Sequence, residues 1–149
     1  MPLPKGWSQF IESLNSNGVD YLVVGAVALA HHGWPRYTGD LDILVRNSPE
    51  NGKRLESALQ QFGLGSLNLK AADFVDSYRV IQLGVPPNRI DPLTSITGVS
   101  FDDAWAGRIE ADLGDTPAKF IGRQGLIQNK KSTGRPQDLA DLDALGAKE

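Results

Sequence analysis

An α+β domain, with helices packed on a short mixed β-sheet, is the fold class this chain predicts. Three observations carry it. Apolar runs of strand length, such as DYLVV and DLDILVR, alternate with stretches of helical periodicity. Helix starts and stops are marked by capping residues and glycines. No internal repeat, low-complexity tract or linker interrupts the pattern, so residues 1–149 are expected to form one domain with helices on one mixed sheet.

The elements follow in order. Residues 7–17 place Trp7, Phe10, Ile11 and Leu14 at helical spacing, with Gly18 as the stop. Residues 20–24 form a short strand ending at Gly25, and AVALAHHG suits a short helix closed by Gly33. WPRYTG is a loop and DLDILVR a strand. Ser48-Pro49-Glu50 starts a helix, with Ser at the N-cap, Pro at the first position and an acid in the first turn. Leu55, Ala58, Leu59 and Phe62 give that helix an apolar face, and Gly63 ends it.

SLNLKAADF fits no single period. Residues 78–84 read as a strand, Pro86-Pro87-Asn88 as a turn, and RIDPLTS as the start of a second strand, together resembling a hairpin. Ser100 and Asp103 have capping-box spacing before DDAWAG. Residues 109–113 and 117–121 are extended, separated by Gly114-Asp115. Residues 126–131 form a short helix broken by Gly134, and Pro136 restarts a last helix carrying Leu139, Leu142 and Leu145.

Composition excludes several chemistries. The chain has no cysteine, so disulfides, thiolate zinc sites and thiol catalysis are out. His31 and His32 are the two histidines, too few for a multi-histidine metal centre, and they close a short helix where adjacent residues do not share a face. Carboxylates are the rich source of ligands, which points to hard cations if there is a metal. The net charge of −3 argues against a protein that coats nucleic acid. MPLPKGWSQF has no apolar signal core and no run is long enough to cross a bilayer, so the cytoplasm is the expected location.

The chemistry concentrates at one place. Residues two apart on a strand share a face, so Asp40 and Asp42 project together while Leu41, Ile43 and Val45 point into the core. Their alpha carbons sit roughly 6.5–7 Å apart, close enough to converge on one cation. A solvated strand end that helps close a turn is the plainer reading of an isolated Asp-x-Asp. Upstream, Gly25 lies where a strand becomes a helix, a place where backbone can approach a phosphate closely. Downstream, Asp91 lies in an apolar strand that is expected to be a neighbour. A third acid beside a pair is what a two-metal site requires, and such sites hold attacking and leaving oxygens in an in-line transfer.

Gly25 with its short helix, then Asp40-x-Asp42, then Asp91, resembles the nucleotidyltransferase superfamily that includes DNA polymerase β. More narrowly, GAVALAHHGWPRYTGDLDILV, RIDPLTSITGVSFDDAW and LIQNKKSTGRPQDLADLDAL look like small bacterial stand-alone nucleotidyltransferases related to the transferase-type toxins of abortive-infection systems. The likeness spans residues 20–145.

It implies a minimal nucleotidyltransferase fold with a C-terminal helical segment. It also implies transfer of a nucleoside monophosphate from an NTP to an acceptor, with two magnesium ions held by Asp40, Asp42 and Asp91. The turn at Gly25-Ala26 would hold the triphosphate; the superfamily usually has Gly-Gly or Gly-Ser there, so Ala26 is a departure. Lys130, Arg135 and Asp138 match a Lys–Arg–Asp pattern of the toxin-type members. Asp138 falls near the angle of Leu145 on a helix, on the apolar edge, where it wants a cation. A clamp pinning the last helix competes with a role at phosphate for these three.

Arg36 and Thr38 lie in the loop before the carboxylates and are candidates to contact the nucleotide. Trp34, Trp105 and Phe101 read as packing residues, with Trp34 the best placed to stack a base. Asp102, Asp103, Asp141 and Asp143 read as solvated or capping. The implied partners are a nucleoside triphosphate, an RNA, protein or small-molecule acceptor, and a cognate toxin or antitoxin, with no membrane. The competing reading is a non-catalytic nucleotide- or protein-binding member of the same fold, such as one half of a toxin–antitoxin or phage-defence pair. A third is an interaction module whose Asp-x-Asp is structural.

Overall fold

A computed structural model describes residues 5–33, 38–75, 79–84, 88–144 and 146. The chain is α+β, built on a five-stranded mixed sheet. Helix α1 (Lys5–Ser16) leads into β1 (Tyr21–Val24), and α2 (Gly25–His31) follows without a break. Then come β2 (Asp40–Val45), α3 (Pro49–Gln61), two short 3-10 turns (Gly65–Leu67 and Ala71–Phe74), and β3 (Arg89–Leu93). Helix α4 (Phe101–Ala106), β4 (Ile109–Leu113), β5 (Thr116–Phe120), α5 (Arg123–Thr133) and α6 (Pro136–Ala144) complete it.

The strand order is β3-β2-β1-β5-β4. β1 runs antiparallel to β2 and parallel to β5; β3 runs parallel to β2, and β4 antiparallel to β5. All four residues of β1 are buried, so both faces of the sheet are covered at its centre. Trp7, Phe10, Ile11 and Leu14 of α1 are buried as their spacing requires, and α1 packs on α3 and β5. Ser48 caps α3, its hydroxyl accepting from the Asn51 amide at 3.2 Å. Ser100 caps α4 in the same way, accepting from the Asp103 amide at 3.1 Å.

Three expectations are revised. The strand expected over residues 78–84 is reduced to isolated bridges, Val80 to Leu93 and Leu83 to Ile90. Backbone bonds still pair Leu83 with Ile90 in both directions, and Ile81 donates to the Pro92 carbonyl. Pro92 has no N–H to return, which interrupts the ladder. Tyr78, Pro86 and Pro87 lie outside the described residues. The segment with no clear period forms the two 3-10 turns, with Asn68 left-handed at φ 57°.

The last helix turns a different face inward than its leucines suggest. Leu139 is 55% exposed, whereas Asp138, Asp141 and Leu142 are buried. Leu145 lies outside the described residues. Asp141 is therefore not a solvated acid; it pairs with Lys130 at 2.9 Å. The lysine amine on α5 draws that face of α6 inward, because a buried ammonium needs carboxylates. Among the described residues no helix is long and apolar enough to cross a membrane.

Candidate active site

The three aspartates meet at one end of the sheet. The β1–β2 register sets Val24 opposite Asp42, so the turn at Gly25 and the start of β2 lie together. The β2–β3 register sets Asp40 beside Arg89 and Asp42 beside Asp91. Asp40, Asp42, Arg89 and Asp91 thus share one face of two adjacent strands, as period-two geometry demands.

Gly25 makes this possible. Its φ is +69°, and a β-carbon there would collide with the Asp42 carboxylate oxygen Oδ2. Glycine supplies both the left-handed turn and the room beside the acid. Helix α2 starts at Gly25 with Val24 extended at its N-cap, and no side chain caps it. Ala26 lies in its first turn, half-buried.

The electrostatics are those of crowded acids. Asp91 is buried, and its Oδ1 has no hydrogen-bond partner among the described residues. Burial pushes the Asp42 carboxyl up to about 6, with the charges of Asp91 and then Asp40 adding to the rise and Arg89 opposing it. A hydrogen bond between the two carboxyl groups, which requires that they share a proton, acts in the same sense as burial. The pair wants either a shared proton or a cation.

A cation is already there. Arg89 Nη2 lies 3.0 Å from Asp40 Oδ2 and 3.1 Å from Asp91 Oδ2. Arg89 is the residue that reading the sequence missed. The signal was present: in Arg89-Ile90-Asp91 the arginine lies two residues before the acid, on the same strand face. All-oxygen donors suit magnesium, and the orphaned Asp91 Oδ1 suits an incoming cation. Among the described residues, no three acidic or histidine side chains are gathered closely enough to hold a metal ion as they stand.

Thr38 shapes the approach. Its hydroxyl donates to the Asp40 carbonyl at 3.2 Å and accepts from the Asp40 amide at 3.3 Å. Arg36 and Trp34 lie outside the described residues. His32 Nε2 donates to the Ile121 carbonyl at 2.9 Å, and His31 stacks on Phe120 at 4.7 Å between ring centroids. Two surface clefts, one lined by Asn15, Glu110 and Lys119 and the other by Glu12, Ser16 and Gln61, are lined by none of the three acids.

Lys130, Arg135 and Asp138 come together as a second cluster. Asp138 is buried and takes a two-nitrogen fork from Arg135, with Nε at 2.7 Å and Nη2 at 3.2 Å. It also accepts from the Thr133 hydroxyl at 2.6 Å and the Arg135 amide at 3.2 Å. These bonds, the Arg135 fork first, hold its carboxyl below the ordinary range. Lys130 Nζ lies 2.9 Å from Asp141 and 3.5 Å from Asp138. The cluster ties α6 to the end of α5.

No family model matches the chain, and no curated protein does. Among solved structures, it is similar to a crystal structure from Thermotoga maritima of a putative nucleotidyltransferase. That likeness has a TM-score of 0.59 at 14% identity, covering 91% of this chain and 87% of the other. The two chains therefore share a fold.

Proposed function

We propose that this chain transfers a nucleoside monophosphate from an NTP to an acceptor. The observation that supports the reading is the placement of Asp40, Asp42 and Asp91 on adjacent strands beside the Gly25 turn, at one end of the sheet. Asp40, Asp42 and Asp91 would hold magnesium, which when bound supplies positive charge against phosphate oxygens. Asp42 must give up its proton to serve as a ligand. Asp91 would also help activate an acceptor hydroxyl. The backbone amides of Gly25 and Ala26 hold the polyphosphate, with Arg36 as a further contact. Lys130, Arg135 and Asp138 position α6, in our reading, since their charges are turned on one another.

One observation favours a second reading, a non-catalytic member that binds a nucleotide or a protein partner. Arg89 already pairs with both Asp40 and Asp91. The enzyme reading is tested first in a thermal-shift assay with ATP, CTP, GTP and UTP, with and without magnesium, and pyrophosphate release then separates it from a non-catalytic nucleotide binder. Catalytic use of the site predicts metal-dependent stabilisation by at least one nucleotide, lost in Asp42→Asn. Labelled NTPs with tRNA, protein or small-molecule acceptors should then release pyrophosphate. No metal-dependent shift with any nucleotide at millimolar magnesium would sink the enzyme reading.

A further inference from the structure

Arg89 is bound in an unusual way for a permanent ion pair. A guanidinium that locks two elements together commonly offers two parallel N–H groups to one carboxylate, as Arg135 does to Asp138. Arg89 instead spans two carboxylates through one nitrogen, Nη2. Its Nε is buried and has no partner among the described residues, so part of its donor capacity is unused. Its side chain is 25% exposed, so it is not sealed in the core. On the other side, Asp91 keeps one buried oxygen unpartnered. The pairing is under-satisfied at both ends, and such a pairing is readily exchanged.

Asp40 and Asp91 cannot give their full donor capacity to a metal while Nη2 occupies an oxygen of each.

We infer that Arg89 is an internal counter-cation, which holds Asp40 and Asp91 in the resting protein and is displaced from them when a divalent cation enters. This rests on the metal-binding reading of the site given above. Arg89 then acts as a positioning residue that sets how much divalent cation is needed to load the site. Once displaced, its free N–H groups remain beside the cluster and can turn to the polyphosphate oxygens of a nucleotide. Arg89 lowers affinity for the metal alone and favours the metal together with its nucleotide.

The test is a titration of manganese, followed by calorimetry and by the electron paramagnetic signal of free ion, into the wild type, Arg89→Gln and Asp42→Asn. Removing a positive charge next to the ligands should tighten manganese binding to Arg89→Gln about tenfold. Without metal the same variant should melt at a lower temperature, and manganese should raise its midpoint more than that of the wild type. Unchanged or weaker manganese binding by folded Arg89→Gln would overturn the inference.

A second measurement needs no variant. The Arg89 Nε–H resonance in the wild type should shift saturably with magnesium. An Arg89 signal indifferent to magnesium that binds elsewhere in the same titration refutes the displacement. If the wild type binds manganese but Arg89→Gln shows no gain, the inference fails and the metal site stands. If neither wild type nor variant binds manganese, both fail.

Discussion

Asp42 of β2 stands beside Asp91 of β3 in parallel register, and the buried Asp91 keeps one oxygen without a partner. Two carboxyl groups side by side at the end of a sheet make the ionised state costly. Asp42 responds, titrating at about 6 against an ordinary 3.8, with burial the first cause and Asp91 the second.

The sign of the pH effect follows. The folded protein binds the Asp42 proton more tightly than the unfolded chain does. Its stabilising contribution is fully present below pH 3.8, declines as pH rises, and is gone above about 6. Asp42→Asn keeps a neutral side chain throughout. In chelator at pH 7 the variant should be more stable than the wild type by up to about 3 kcal/mol. The difference should shrink toward pH 4 in urea denaturation. A difference that does not change with pH would count against the carboxyl crowding.

Gly25 should resist substitution for two separable reasons. Gly25→Ala meets a left-handed backbone and a collision with the Asp42 carboxylate. The expected loss is roughly 1–3 kcal/mol. In an Asp42→Ala background the collision with the carboxylate disappears, leaving the tight approach to the residue-42 β-carbon and about 1 kcal/mol for the backbone. Equal losses in both backgrounds, measured by denaturation, would show that the acid is not what excludes a side chain there.

The α5–α6 clamp should behave as a buried ion cluster. Asp138→Asn removes the charge and one of the two oxygens that accept the Arg135 fork, and weakens the surroundings of buried Lys130. About 3 kcal/mol of stability should be lost. Leu139→Ala, one residue on, should change stability by less than about 0.5 kcal/mol because Leu139 is exposed. Asp138 titrates below the ordinary carboxylate range, so its contribution is present above about pH 4 and lost in acid. Acid should therefore bring the wild type toward Asp138→Asn.

Asn51 offers a test remote from the acids. Its side-chain amide donates to the Asp20 and Arg46 carbonyls, and its oxygen accepts from the Asp20 amide at 2.7 Å. It stitches the first turn of α3 to the start of β1 and the residue after β2. Asn51→Ala takes the side-chain acceptor from the part-buried Asp20 amide and the donor from the Arg46 carbonyl, and should cost about 2 kcal/mol. A near-neutral result by thermal denaturation would mean that water replaces the amide.

Much of this arrangement was readable beforehand because it is local. The spacing of Trp7, Phe10, Ile11 and Leu14, the Ser48 cap and the Gly134 stop depend on neighbours a turn away. Asp40 and Asp42 share a face by strand geometry alone. Leu139 misled, because helical periodicity ranks apolar residues above acids for burial. Here a buried lysine on α5 reversed the ranking in favour of Asp138 and Asp141. Arg89 was overlooked because its significance depends on which residue of β2 it sits beside.

The amino-acid sequence by itself determined the α+β class, most element positions and the common face of Asp40 and Asp42, since backbone periodicity and capping are short-range physics. Only the tertiary structure decided that Asp91 pairs with Asp42, that Arg89 bridges Asp40 and Asp91, and that Asp141 is buried. Those relationships depend on strand register and on burial of charge, and both are set by contacts between residues far apart along the chain.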